Sequence, residues 1–129
     1  GFILLQIGIG LGIIRGAIDD IQTSDRSLLD SNRYLPDRAD ELMKELALLQ
    51  AETEVLGRTP FDPVPEYSRA VMGLRLKSAE LASLAAHSAL FHAGAKGFIV
   101  SSAPQRRIRE AMFYSILTPS IKHLRKELS

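Results

Sequence analysis

The sequence contains no cysteine in its 129 residues, which excludes disulfides, thiolate zinc sites and thiol nucleophiles together. It also has no excess of charge of either sign, because 16 Lys and Arg residues stand against 15 Asp and Glu residues. Charge-driven nucleic-acid binding and intrinsic disorder both depend on such an excess. We therefore expect one globular domain over residues 1–129 with no nucleic-acid partner. Nothing in the composition demands an oxidising compartment, and we expect a cytoplasmic location.

The familiar sequence patterns of metal and hydrolase sites are also missing. His87 and His92 are five residues apart, so on one helix they would face different sides. No Glu-x-x-His or His-x-x-x-His pair is present, and these are the spacings by which helices bind zinc or di-iron. Gly-x-Ser-x-Gly and the phosphate-loop pattern are absent as well. The sequence predicts no metal site.

The N-terminal segment 2–18 is apolar apart from Gln6 and Arg15. A signal peptide would need a basic start and a small-residue cleavage site, and a membrane span needs roughly 18 to 20 uninterrupted apolar residues, which Arg15 prevents. We predict a buried bundle helix and no membrane partner. A chain that opens without Met directly into such a run indicates a piece of a longer protein.

Caps, breakers and apolar spacing predict an all-α protein with no strand. The first predicted helix runs from Phe2 to about Ile21, and the second from an N-cap at Asp37 to Gly57. The third runs from about Glu66 to Ala93 after a start at Asp62 and Pro63, and the fourth from about Arg106 to Leu117 after a capping box of Ser102 and Gln105. A short last helix begins at Pro119, with Thr118 as its N-cap. The three long helices have bundle length. The second carries one apolar stripe, Leu42, Leu46, Leu49, Thr53 and Leu56, which is expected to pack on the first. These features predict a four-helix up-and-down bundle.

Two places could carry chemistry. Arg15 interrupts an apolar face, and either forms an ion pair with Asp19 or Asp20 or faces a cleft that binds an anion or a carbonyl group. At Thr118, the free N–H groups of a helix N-terminus, a hydroxyl and the arginine cluster 106–109 would together form an anion pocket.

Three segments of the sequence resemble the C-terminal helical domain of the acyl-CoA dehydrogenase family. Ile14-Arg-Gly-Ala-Ile-Asp-Asp20 is similar to the Ala-Arg-Gly-Ala-Leu-Asp-Glu segment that opens that domain. His92-Ala-Gly-Ala-Lys-Gly-Phe98 resembles the family's Gly-Gly-x-Gly-Tyr loop. Arg109-Glu-Ala111, followed by a helix break at Thr118, resembles its Arg-Asp-Ala followed by Glu-Gly-Thr. The three segments occur in family order and together cover most of the chain.

The resemblance implies the C-terminal domain of a flavin adenine dinucleotide (FAD)-dependent oxidoreductase that acts on an acyl-CoA-like substrate. The complete enzyme would add a helical domain and a β-barrel domain and would form a homo-oligomer. Arg15 would lie near the thioester and the flavin. Gly94 and Gly97 would approach the dinucleotide of a partner subunit, and Thr118 and Ser120 would cap a helix that faces an anion. The isolated domain would be inactive and would not bind flavin tightly.

Two departures from the family pattern bear on the chemistry. Thr118 stands where the family has its catalytic glutamate, and a threonine hydroxyl does not abstract an α-proton at neutral pH. Either the base comes from elsewhere, or the flavin performs another reaction. The family's flavin-contacting Arg-x-x-Phe-Gly segment is also absent, and Arg26 falls out of its register. The alternative is a helical interaction module without catalytic activity, in which Arg15 serves an ion pair and the glycine loop is a turn.

Overall fold

The computed structural model describes residues 2–129, and within this range the protein is helical with no strand. The predicted all-α class is confirmed. Five α-helices follow one another, with a single short 3-10 helix, Gly94–Phe98, between the third and the fourth. Their bounds are α1 Phe2–Asn32, α2 Ala39–Gly57, α3 Pro65–Ala93, α4 Ala103–Ile116 and α5 Ile121–Leu128.

Helices α1 and α3 lie side by side and run in the same direction. Gln6 contacts Arg75 near their beginnings, and Asn32 contacts His92 near their ends. Helix α3 offers mainly small side chains to the core. Five of its alanines are fully buried there, at positions Ala79, Ala82, Ala85, Ala86 and Ala89. The missing bulk lets the isoleucines of α1 fill the core between the two helices.

Helices α2 and α4 run in the opposite direction to α1. Tyr114 of α4 packs against Gly10 of α1, and Arg107 of α4 packs against Gly16. Helix α4 is therefore antiparallel to α1. Helix α2 buries Leu42, Leu46 and Leu49 of the predicted stripe in the same core as the isoleucines of α1, whereas Thr53 and Leu56 are half-buried. The expected packing of the second helix on the first is confirmed.

The first two helices do not end and begin where the sequence predicts. Helix α1 continues past Ile21 to Asn32, because nothing in the polar segment 22–32 breaks a helix and the Asn32 side chain is bonded to other elements. Asp37 is not the N-cap of α2, since that position belongs to Arg38. Asp37 instead takes a φ of 54°, in the left-handed region, at the turn before the helix.

The predicted starts of α3 and α5 are shifted as well, whereas Ser102 caps α4 as predicted. Helix α3 begins at Pro65, after Val64, rather than at Asp62 and Pro63. Helix α4 begins at Ala103, and the Ser102 hydroxyl accepts the Gln105 N–H as predicted. The Gln105 side chain donates to Phe98 O instead of completing a capping box. Helix α5 begins after Ser120, so the prediction that Thr118 is its N-cap, with Pro119 at its first position, is wrong.

Helix α1 is long and apolar enough to cross a membrane by length and composition. Its most apolar window of 18 residues has a mean hydropathy of 1.7, and 39% of that window is buried within the protein. A core helix of a bundle has the same properties, so this observation is weak evidence in either direction.

Candidate functional site

A cleft of about 670 Å³ lies between the last turns of α1 and the segment that follows α3. Helix α1 contributes Thr23, Ser24, Ser27 and Ser31 to its lining. Their spacing of three and four residues places the hydroxyls on neighbouring faces of one helix. The opposite wall includes Gly94 and Lys96. The cleft therefore combines groups that donate and accept hydrogen bonds with one cation.

The bottom of the cleft is fixed by hydrogen bonds between three helices. The Asn32 amide donates to His92 O at 3.0 Å and to Asp25 Oδ1 at 3.1 Å. The Arg38 guanidinium donates to Asn32 O at 2.7 Å and pairs with Asp25 at 3.3 Å. These bonds join the end of α1 to the end of α3 and the start of α2, so the cleft is built on a rigid base.

His92 is a buried member of the cleft lining, at 1% exposure. Its Nδ1 lies 2.8 Å from the Ser88 carbonyl oxygen, which can only accept, so Nδ1 carries the proton in the neutral ring. Nε2 is then an acceptor, and no group within residues 2–129 donates to it. The imidazole thus has one polar atom free beside the cleft.

The two predicted glycines occupy different environments. Gly94 is exposed at the mouth of the cleft with a φ of 72°, and a Cβ there would meet no atom within 4 Å. The backbone is therefore open to close approach by a ligand. Gly97 is buried, and its Cβ would lie 2.8 Å from the Ala93 Cβ, so packing of the 3-10 helix explains this glycine. Gly97 also lines a smaller cavity of about 160 Å³ beside the cleft.

Asp20 also lines this smaller cavity, and it does not pair with Arg15. Its Oδ2 lies 3.2 Å from Arg107 Nε, and Arg107 packs over Gly16 where any larger side chain would collide with it. Burial raises the pKa of Asp20 above its usual value, although Arg107 opposes that shift. Arg15 itself is exposed, and within the described part of the chain it forms no ion pair. The ion pair of Arg15 with Asp19 or Asp20, one of the two alternatives predicted for this residue, is not formed.

Thr118 and Ser120 lie at the far end of the protein from the cleft. Thr118 is exposed, and its carbonyl accepts from Gln6 at the beginning of α1. The Ser120 hydroxyl lies 3.0 Å from His123 Nδ1 rather than on the helix backbone. The arginine cluster 106–109 is on the first turns of α4, at the opposite end of that helix. The anion pocket predicted at Thr118 is therefore not assembled.

The predicted site residues thus form two groups. Gly94 and Gly97 lie at the level of Asn32, Thr118 lies at the level of Gln6, and Arg15 is between them on α1. Residues 6 and 32 of one helix are roughly 39 Å apart at 1.5 Å per residue. A small ligand in the cleft does not reach both groups within one copy of the chain.

Sequence reasoning missed a buried polar cluster beneath Thr118. Arg75 is 0% exposed and Gln6 is 4% exposed, and both are bonded to the end of α4 or the segment after it. One signal was available, because Arg75 falls on the buried stripe of α3 between Val71 and Ser78.

Comparison with known proteins gives no assignment, since no family model, no curated protein and no solved structure matches the chain. Within residues 2–129, no group of three His, Asp or Glu side chains is arranged to hold a metal ion.

Proposed function

We propose that this chain is the C-terminal helical domain of a flavin-dependent oxidoreductase related to the acyl-CoA dehydrogenases. In this proposal α1 to α4 form a four-helix up-and-down bundle of that family's type, and α5 is a short terminal addition. The observation that carries the proposal is the cleft beside Gly94, which lies at the position that the resemblance assigns to the dinucleotide.

The residues of the cleft fit the ribose and phosphate part of FAD. The hydroxyls of Ser27 and Ser31 would bond to ribose or phosphate oxygens, and Lys96 would balance phosphate charge. The exposed backbone of Gly94 leaves room for close approach. The free Nε2 of His92 supplies a single acceptor nearby. When bound, the flavin would supply the capacity to take up a hydride.

The separation of the two groups of site residues favours a homo-oligomer. The cleft would contact the dinucleotide held mainly by a partner subunit, while Arg15 and Thr118 would face the reactants of the chain's own site. Arg15 would orient an acyl-CoA-like substrate or the flavin from the exposed face of α1. Ser120 with Thr118 would line the end of that site. Thr118 has no capacity to act as the base, so the proton acceptor or the reaction differs from that of the family.

Exposed apolar side chains support the presence of further domains or subunits. Phe2, Leu5 and Ile9 on α1 are 72%, 76% and 51% exposed, although the opposite face of the same helix is in the core. A helix that is apolar on both faces needs cover on both faces. The remaining domains of the parent enzyme would supply that cover.

The experiment is flavin binding by the longer protein that contains this chain. We expect it to bind FAD, and we expect Lys96→Ala to weaken binding about fivefold or more, because a phosphate loses its cation. Lys44→Ala removes the same charge from an exposed position on α2 and should leave the affinity unchanged. If the longer protein binds no flavin, the result favours the alternative, a helical interaction module without catalytic activity.

A further inference from the structure

Arg75 is a completely buried cation with no carboxylate partner. It is 0% exposed, and it belongs to none of the ion pairs found within residues 2–129. Its Cζ lies 3.7 Å from the centroid of the Tyr114 ring, and burial lowers the pKa of Arg75 from its usual value. A buried charge is costly unless polar groups surround it, so its partners indicate what the side chain does.

The partners of Arg75 are backbone carbonyls at the end of α4. Nη2 donates to Tyr114 O at 2.7 Å and reaches Leu117 O at 3.4 Å. The last carbonyls of a helix have no partner within the helix and carry partial negative charge. The guanidinium therefore binds the C-terminal end of α4, and this end takes the place of a carboxylate.

Gln6 adds a hydrogen bond to the carbonyl of Thr118, the residue that follows Leu117. Its Oε1 accepts from Arg75 Nε at 3.2 Å, and its Nε2 donates to Thr118 O at 2.8 Å. One side-chain amide thus bonds both the buried cation and the exposed segment. Together the two side chains donate hydrogen bonds to the carbonyls of Tyr114, Leu117 and Thr118.

The Tyr114 ring is itself fixed in place. The Ser78 hydroxyl donates to Arg75 O at 2.8 Å, so in the 2.7 Å contact between Ser78 and Tyr114 the tyrosine hydroxyl is the donor. The ring lies against Gly10, where a Cβ would come within 2.6 Å of it. The ring is therefore held between Gly10 and Ser78, with the guanidinium of Arg75 stacked on it.

We propose that Arg75 and Gln6 are positioning residues that set the backbone of the segment 117–120, and through it the orientation of Thr118 and Ser120 toward the reactants. An apolar pair of similar volume would fill the same space without desolvating a charge. Only donors aimed at the carbonyls fix the segment in one conformation. The role in catalysis rests on the proposed function, whereas the restraint on the segment is independent of it.

The restraint is tested by Gln6→Glu in the 129-residue chain at neutral pH. The ionised carboxylate still accepts from Arg75, but it has no donor for Thr118 O. We expect the amide protons of Leu117 and Leu124, which bond to Phe113 O at the end of α4 and to Ser120 O at the start of α5, to exchange about five- to tenfold faster, as for one lost hydrogen bond. Amides of α3 between residues 78 and 89 should accelerate by less than these two.

Unchanged exchange at Leu117 and Leu124 would overturn the proposal, and so would equal acceleration throughout the protein. Gln6→Met provides a second variant if Gln6→Glu does not fold. It removes both hydrogen bonds at nearly constant length. The same local acceleration is expected, in excess of any change in α3.

The catalytic role is tested in the longer flavoprotein. We expect Gln6→Glu to lower kcat about tenfold or more while KM and flavin affinity stay unchanged, because the segment is misplaced and binding is not. Gln22→Glu makes the same change at an exposed position of α1 and should alter none of these quantities. If the Gln6→Glu protein binds flavin and its kcat is unchanged, the positioning role of Gln6 is refuted. A longer protein without flavin would refute the proposed function, and the exchange rates would still decide the restraint.

Discussion

At the scale of single residues, the glycines of α1 are of two kinds: those against which α4 packs and those that face solvent. A Cβ at Gly10 would lie 2.6 Å from the Tyr114 ring, so this glycine makes room for the aromatic side chain. A Cβ at Gly8 or Gly12 would meet no atom within 4 Å, and both residues are exposed. The sequence shows four glycines in one apolar run, but only the packing of α4 separates them into these two kinds.

This difference gives a matched pair of variants. Gly10→Ala should lower the free energy of unfolding by roughly 1 to 3 kcal/mol, because the added methyl group overpacks the Tyr114 contact. Gly12→Ala should raise it by up to about 1 kcal/mol through higher helix propensity. Urea denaturation of both variants measures the two changes. Equal effects of the same sign would contradict the assigned packing.

The Asp20 carboxyl should give the protein an unusual pH dependence. Its pKa is raised in the folded state because burial outweighs the attraction of Arg107. A raised pKa means that the folded state binds the proton more tightly, so this stabilisation is present below the usual value of 3.8 and is lost as pH rises through the folded pKa. Asp20→Asn imitates the protonated form at every pH. We expect the stability of the wild type relative to Asp20→Asn to decrease as the pH rises above about 4. An increase over that range, measured by denaturation at several pH values, would show that the ion pair dominates.

At the scale of helices, the sequence predicts which helices exist better than where they end. Leu42, Leu46 and Leu49 of the apolar stripe are visible in the sequence and are buried as predicted. The last turns of α1 have no such stripe, since they are polar and largely exposed. They remain helical because Asn32 bonds to His92 O, a contact that spans 60 residues. No local pattern contains that information.

Two serines that precede helices should differ in their effect on stability. Ser102 accepts the Gln105 N–H at the start of α4 and donates to Gly97 O at 2.6 Å, whereas Ser120 makes no capping bond to α5. Ser102→Ala should therefore lower the free energy of unfolding by roughly 1 to 2 kcal/mol, and Ser120→Ala by less than about 0.5 kcal/mol. Thermal denaturation of the two variants compares them directly. A larger loss of stability from Ser120→Ala would show that the contact of Ser120 with His123 contributes more than the cap at Ser102.

The candidate site was predictable only where it depends on chain-local features. Gly94 stands out in the sequence as a helix-ending glycine, and it has the positive φ of such a position. The hydroxyls of α1 that face it were not singled out, because isolated serines on a polar segment carry no signal. Arg75 and Gln6 are separated by 69 residues, and their contact depends on how α1 and α3 are aligned. Long-range polar pairs of this kind follow from packing rather than from spacing.

At the scale of the whole molecule, the two ends of the helical protein carry different chemical groups. The end near Asn32 carries the cleft with its hydroxyls and Lys96. The end near Gln6 carries Thr118 over a buried polar cluster, with exposed Phe113 and Ile116 on the neighbouring helix. Both ends contain groups that the chain alone leaves uncovered. Under the proposed function, the cleft end would meet a partner subunit and the Thr118 end would meet the chain's own flavin and substrate.

This division predicts the behaviour of the 129-residue chain on its own. The cleft is open to solvent, whereas a small-molecule site typically buries roughly 70 to 90% of its ligand. We therefore expect FAD to bind the isolated chain with a Kd weaker than about 10 µM, a free energy of binding smaller in magnitude than roughly 7 kcal/mol. Flavin fluorescence titration measures this affinity, and Lys96→Ala in the same chain serves as the comparison. Tighter binding that Lys96→Ala abolishes would mean that the cleft is a complete site and needs no partner. Tighter binding that Lys96→Ala leaves intact would place the flavin elsewhere on the chain.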